Sequence, residues 1–262
     1  MIRNKFNFLK PTLVFLGVLL SFQAFCGLSK KDVKRLNNSL IYDLFINYEL
    51  TEKNGNLSAI IDFFPNPDNI NYKEMTLTSN VGGRNQTCTF VFNDKGTVEK
   101  VDYEVNNKIY RYDFIYEGSQ LVTINITGKP KISFRYDNKG RLRAITREKG
   151  GGAFEYNFEY IDGENKANIK LIVVQGEKRS PSARKYYASW DSGLKLESYC
   201  IDVYCSKKIK YSQQGDLLSY SFANVNEDNN IMSWEYSTRD ENQNWVERKS
   251  KNIIFNRTIK YN

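Results

Sequence analysis

Histidine is absent from all 262 residues, which removes the commonest general base. Ser-His-Asp and Cys-His nucleophile systems go with it. So do the usual zinc ligand sets, and the few cysteines do not readily build an all-cysteine site. Carboxylate-pair chemistry of the kind that cleaves glycosides needs no imidazole. Asp62, Asp137, Glu155, Glu159 and Asp162 are available for it, but no local spacing singles out two of them. The simpler reading seats them in turns and on a solvated strand face. The chain is therefore expected to be non-catalytic, without cofactor or metal. Asp240, Asn242 and Asn244 have the alternate spacing of a calcium loop. Trp245 stands where that loop needs glycine, however, and Lys251 where it needs its closing glutamate. That stretch reads as a turn.

A second kind of chemistry is recognition. Lys178, Arg179, Arg184, Lys185, Tyr186, Tyr187 and Trp190 place cations beside aromatic rings, a combination that holds acidic sugars by ion pairing and stacking. They lie in and just after a polar loop, and loops that interrupt a regular scaffold carry function more often than the scaffold does. The competing reading is a solvated charge run followed by core aromatics. Cysteine chemistry is left open. Cys200 and Cys205 can pair if Ile201 to Tyr204 form a tight loop, whereas a continuous strand would hold them about 17 Å apart. Cys88 is then a spare thiol or a buried small apolar residue.

The elements that position these groups repeat. Phe92-Asn93-Asp94-Lys95-Gly96-Thr97-Val98 is followed by Val101, Tyr136-Asp137-Asn138-Lys139-Gly140-Arg141-Leu142 by Ile145, and Tyr211-Ser212-Gln213-Gln214-Gly215-Asp216-Leu217 by Tyr220. Each has an aromatic residue, a polar turn, a glycine, and apolar residues two and five positions on. Weaker copies place Gly118, Gly163 and Gly193 in the same role, giving a period near 22 residues with one insertion between Gly163 and Gly193. Before the turns, Phe154, Tyr156, Phe158 and Tyr160 alternate with Glu155, Asn157 and Glu159, the signature of a strand with one buried face. The step from the second to the fifth position after glycine changes parity, which requires a bulge just after the turn. Each unit is a strand, a turn and a strand. Tyrosine (18) and phenylalanine (16) supply the core, residue types that suit pleated surfaces.

Ahead of the array, Val33, Leu36, Leu40, Ile41, Leu44, Phe45 and Tyr48 recur at helical spacing, and Ser29 with Asp32 forms a capping signal. Residues 30–48 are predicted as one amphipathic helix, its apolar stripe covering an open end or edge of the sheet or meeting a partner. Earlier still, Arg3, Lys5 and Lys10 precede an apolar run from Thr12 to Phe22 and small residues at Ala24, Cys26 and Gly27. This reads as a secretory leader, residues 1–26, too short to span a bilayer comfortably. Cleavage after Cys26, with Ala24 at −3, is the expected outcome; acylation of Cys26, against which Gln23 and Phe25 stand, and a retained anchor are the alternatives. No later run is apolar for long enough to cross a membrane as a helix. The leader carries three of the eight excess positive charges, so the remainder is only mildly basic. Acidic partners are favoured weakly, and nucleic acid is not expected.

At Tyr136-Asp137-Asn138-Lys139-Gly140-Arg141-Leu142-Arg143-Ala144-Ile145 the sequence resembles the YD repeat of the rearrangement-hotspot (Rhs) proteins. Asp240 to Trp245, followed by Arg248, resembles a degenerate Asp-x-x-Gly-Asn-Trp unit of small exported proteins of that type. Ser212 and Glu117 replace the aspartate in other units, and Gln243 stands where glycine is expected. The resemblance implies a bacterial, exported β protein with too few hairpins to enclose a cargo, and no self-cleaving core is visible.

The expected architecture is mainly β: an antiparallel meander of repeated hairpins over residues 51–262, an open curved sheet or partial barrel, with a helical segment at 27–50. The expected function is recognition of an acidic glycan or another surface macromolecule in the periplasm, on the outer surface or after secretion. A structural or assembly role beside an envelope protein, and a carboxylate-dependent hydrolase, are the alternatives.

Overall fold

A computed structural model describes residues 28–46, 72–81, 84–183, 185–201, 204–213, 216–224, 227–250 and 253–262. The leader with Cys26, Tyr48, Asp62 and Arg184 lie outside the described residues.

The helix begins where the sequence signals it. Helix α1 (Lys30–Asn38) is capped by Ser29, whose hydroxyl accepts from the Asp32 amide while the Asp32 carboxylate accepts from the Ser29 amide. It runs on as a π-helical segment, Ser39–Ile46. Leu36, Leu40, Leu44, Phe45 and Ile46 are at most 1% exposed, so little of this face is left for a partner. Its contacts are with inward side chains of the sheet rather than with an edge.

That sheet has 18 strands. They are β1 (Tyr72–Val81), β2 (Arg84–Phe92), β3 (Val98–Val105), β4 (Lys108–Glu117), β5 (Gln120–Ile126), β6 (Lys129–Tyr136), β7 (Leu142–Lys149), β8 (Gly152–Tyr160) and β9 (Lys166–Gln175). There follow β10 (Lys178–Pro181), β11 (Tyr186–Trp190), β12 (Leu196–Ile201), β13 (Tyr204–Tyr211), β14 (Leu217–Asn224), β15 (Glu227–Ser233), β16 (Glu235–Arg239), β17 (Trp245–Ser250) and β18 (Ile253–Tyr261). Successive strands pair antiparallel, β10 and β11 lie one after the other along β9, and β18 returns to lie beside β1. The wrap is not a regular closed barrel: among the described residues no ladder joins β15 to β16, which follow each other in the chain around Trp234.

The bulge implied by the parity change is present in most units; the ladder from β8 to β9 runs on without a slip through Tyr160 and Ala167. The ladder slips at Val91/Phe92, Arg135/Tyr136, Ser189/Trp190, Lys210/Tyr211 and Thr238/Arg239, always beside the residue before the turn. The extra residue lets both apolar positions after the turn face inward. In the turns, the residue after the aromatic gathers the loop: the Asp137 carboxylate accepts from the amides of Lys139 and Arg141. Asn93, Asp191 and Asp240 do the same two and four residues on.

A tyrosine ladder ties one unit to the one before it. The hydroxyls of Tyr116, Tyr136, Tyr160, Tyr211 and Tyr236 donate to the carbonyls of Val98, Leu121, Leu142, Leu196 and Leu217. Each acceptor is the first apolar residue after the preceding turn. Burial pushes the hydroxyls of Tyr116, Tyr136 and Tyr160 above the ordinary phenol range, so they remain donors at all physiological pH values. Trp190 occupies this place in the unit after the insertion, and its indole N–H donates to Ser39 Oγ at 2.9 Å instead.

Turn geometry corrects one alignment. Gly96 and Gly140 take the left-handed conformation three residues after the gathering side chain. In the later units that position falls on Leu194 (φ 61°) and Gln243 (φ 63°), not on Gly193. A non-glycine residue there costs about 1–2 kcal/mol, and glycine's own chain entropy offsets about half of any relief. Gln243→Gly should therefore stabilise the protein by up to about 1 kcal/mol and raise its Tm by about 2–4 °C. The bond that Arg239 donates to the residue 243 carbonyl survives the change. An unchanged or lower melting temperature would contradict the strain.

Candidate functional site

The strand alternation that buries Tyr156 and Phe158 turns Glu155, Asn157 and Glu159 of β8 to the outer face. Register then decides their neighbours. Asn157 lies between Ala144 of β7 and Lys170 of β9, and Glu155 between Thr146 and Ile172. A pocket of about 460 Å³ opens over these strands, walled by Arg141, Arg143, Asn157, Lys170 and Arg179 together with Asp137, Glu155 and Glu159.

Each carboxylate of the wall is matched. Asp137 meets Arg141 at 2.8 Å, and the Arg141 guanidinium lies over the Tyr160 ring at 4.5 Å. Glu159 meets Lys170 at 2.7 Å. Glu155 is clamped: Arg135 Nη2 reaches one oxygen at 2.8 Å and Arg179 Nη2 the other at 2.7 Å. Arg143 is exposed and makes no side-chain hydrogen bond or ion pair among the described residues. Burial by the surrounding strands pushes the Glu155 carboxyl up. The hydrogen bond and charge of Arg179, then Asn157 and Arg135, outweigh it and hold the pKa below the ordinary glutamate value.

The sign of that shift gives a test. A carboxyl whose pKa is lowered on folding adds stability above its unfolded value and loses it as pH falls through the folded value. Both arginines are about half exposed, so solvent screening limits the share to about 1 kcal/mol. Glu155→Gln should cost that much at neutral pH, and the gap to wild type should shrink as pH falls from about 5 to below the folded value. A gap constant with pH would refute the clamp.

The basic aromatic cluster divides. Arg179 joins the pocket. Tyr187 is half-buried on the outer face opposite Asn168, beside Lys170 along β9, with Lys166 Nζ 5.8 Å from its ring centroid. Lys178 and Lys185 are exposed, while Tyr186 and Trp190 are buried in the core. Strand parity within β11 separates these aromatics, so they do not form one surface. Arg143, Asn157 and Lys170 were not singled out from sequence; they meet only through the register of three hairpins. Of the remaining carboxylates, Asp162 sits in the turn after β8.

Cys200 and Cys205 face each other across β12 and β13 with Cα atoms 4.1 Å apart and form a disulfide. The strand is broken by a hairpin there, so the short span is available. Cys88 is buried, and burial followed by the Asp102 charge pushes its thiol well above the ordinary range. No helix among the described residues is long and apolar enough to cross a membrane.

Comparison with known proteins gives the fold alone. No protein-family model matches the chain, and no curated protein matches it. A crystal structure of a porin-like protein from Bacteroides uniformis is similar over 72% of this chain and 98% of its own, with 12% identity and a TM-score of 0.50. A TcdB2-TccC3 complex matches 63% of this chain but 11% of its own, with 10% identity and a TM-score of 0.30.

Proposed function

We propose that the protein is an exported, non-catalytic recognition module of the bacterial envelope or surface, binding a glycan in the pocket over β7, β8 and β9. The observation that carries this reading is the pocket wall itself: guanidinium, ammonium, amide and carboxylate groups alternate at cross-strand spacing on a rigid sheet. Such an array of donors and acceptors suits hydroxyl-rich ligands, and the strands fix the backbone positions of its members, which lowers the ordering cost of binding. Matched carboxylates support the non-catalytic part. A general acid needs a raised pKa, whereas Glu155 is held low. The export signal and the resemblance to YD-repeat proteins support the setting.

Binding of the purified exported protein to a panel of bacterial and host glycans, at low and physiological salt, tests it. Retained binding at physiological salt that Lys170→Glu weakens supports the pocket. Loss of every signal at physiological salt, or detectable turnover of a bound oligosaccharide, overturns the reading.

A further inference from the structure

We infer that this pocket reads a single oxyanion on a sugar, with the Arg143 guanidinium as its receptor. The inference rests on the glycan reading above and sharpens it to a ligand class.

Charge balance is the first argument. Four cations of the wall (Arg141, Arg143, Lys170 and Arg179) stand against three carboxylates, and Arg135, outside the wall, shares Glu155 with Arg179. The excess is positive and local, and Arg143 is the member that no carboxylate answers. A guanidinium offers parallel N–H groups that fit a carboxylate or sulfate edge-on, which gives both strength and orientation.

The second argument is elimination within the wall. Arg141 is spent: its Nε and Nη2 hold the Asp137 carboxylate, its guanidinium lies over the Tyr160 ring, and its Nη1 is closed to solvent. Lys170 is spent on Glu159 and Arg179 on Glu155, which leaves the exposed Arg143 to meet an anion.

The interleaved carboxylates narrow the class. Nucleic acid and polyphosphate need runs of cations to replace many counterions, and Asp137, Glu155 and Glu159 would repel them. One charge on an otherwise neutral, hydroxyl-bearing ring avoids that repulsion. About 460 Å³ accommodates one or two such rings.

Calorimetric titration of the exported protein with digalacturonate, its methyl ester and a galactose 6-sulfate disaccharide at physiological salt provides the test. The acid is expected to bind at least tenfold more tightly than the ester, and Arg143→Gln to erase that preference, with Arg143→Lys restoring part of it. The sulfated sugar tells whether the oxyanion is read as a planar carboxylate or as any oxyanion of similar size; preference for either over the ester supports the inference. Equal affinity for acid and ester, or an Arg143→Gln variant that binds the acid unchanged, overturns it and leaves glycan recognition standing. Failure of every sugar, neutral ones included, removes both.

Discussion

Trp245→Ala is expected to destabilise the protein by about 4–6 kcal/mol and to lower its Tm by about 10–20 °C. Trp245 is 1% exposed, so its truncation leaves a large cavity, which alone costs about 3–5 kcal/mol. The indole is also a surface for two buried cations. The Arg257 guanidinium lies 4.0 Å from its ring and that of Arg248 4.7 Å. Trp234 and Phe255 complete the ring contacts of Arg248 at 4.5 and 5.2 Å. Loss of a cation–ring contact costs about 0.5–2 kcal/mol; Arg248 keeps Trp234 and Phe255, so the two arginines together add about 1 kcal/mol to the cavity cost.

Trp245→Phe separates the contributions. It retains a ring and most of the volume, and it should cost no more than about 2 kcal/mol. The Arg257 Nε bond to the Trp245 carbonyl is backbone on one side and survives both changes. Thermal melts of the two variants check the argument. An alanine variant that melts within a few degrees of wild type would show that neither cavity nor cation stacking operates there.

Much of this was open to reading because the repeat is written in local chemistry. Aromatic alternation in Tyr156 and Phe158 fixes which face of β8 is buried, and the parity switch from Leu142 to Ile145 demands the bulge found between β6 and β7. The turn at Asp240 is written in local chemistry, but the cation stack is not, because it joins β17 and β18 to Trp234 in the link between β15 and β16. The same limit applies to the pocket. Arg143, Asn157 and Lys170 are 14 and 13 residues apart in the sequence, and only hairpin register brings them to one wall. The basic segment at 178–190 divides for a different reason: nearness in sequence does not make a shared surface, since β11 sends Tyr186 and Trp190 to the core and Tyr187 to the outer face. Gln243 in a left-handed turn shows the converse. Its gathering aspartate and the surrounding ladder impose the turn even where glycine has been replaced.

The junction between helix and sheet carries the second large effect, and it depends on one polar residue within an apolar face. Asn37 is 8% exposed. Its side-chain amide donates to the Gly140 carbonyl at 2.9 Å, and its carbonyl accepts from the Leu142 amide at 2.8 Å. Gly140 lies in the turn between β6 and β7 and Leu142 opens β7, both more than 100 residues away in the chain, so helical periodicity alone gives Asn37 no role. Asn37→Leu conserves volume and apolar character but leaves a buried N–H and a part-buried carbonyl without partners. Each orphan costs about 1–3 kcal/mol, so the variant should lose about 3 kcal/mol. That corresponds to a fall in Tm of about 6–12 °C. Asn37→Asp keeps the acceptor for Leu142 but sets a carboxylate oxygen against the Gly140 carbonyl, so its cost should fall as pH drops and the protonated carboxyl can donate. Hydrogen exchange supplies a site-specific check: the Leu142 amide should lose protection in Asn37→Leu and keep most of it in Asn37→Asp. If that amide stays equally protected in both variants and Tm moves by under about 2 °C, the helix is held by its apolar stripe alone. Loss of protection confined to the β6–β7 turn would instead assign to Asn37 the fixing of α1 against the same turn whose Asp137 and Arg141 wall the outer pocket.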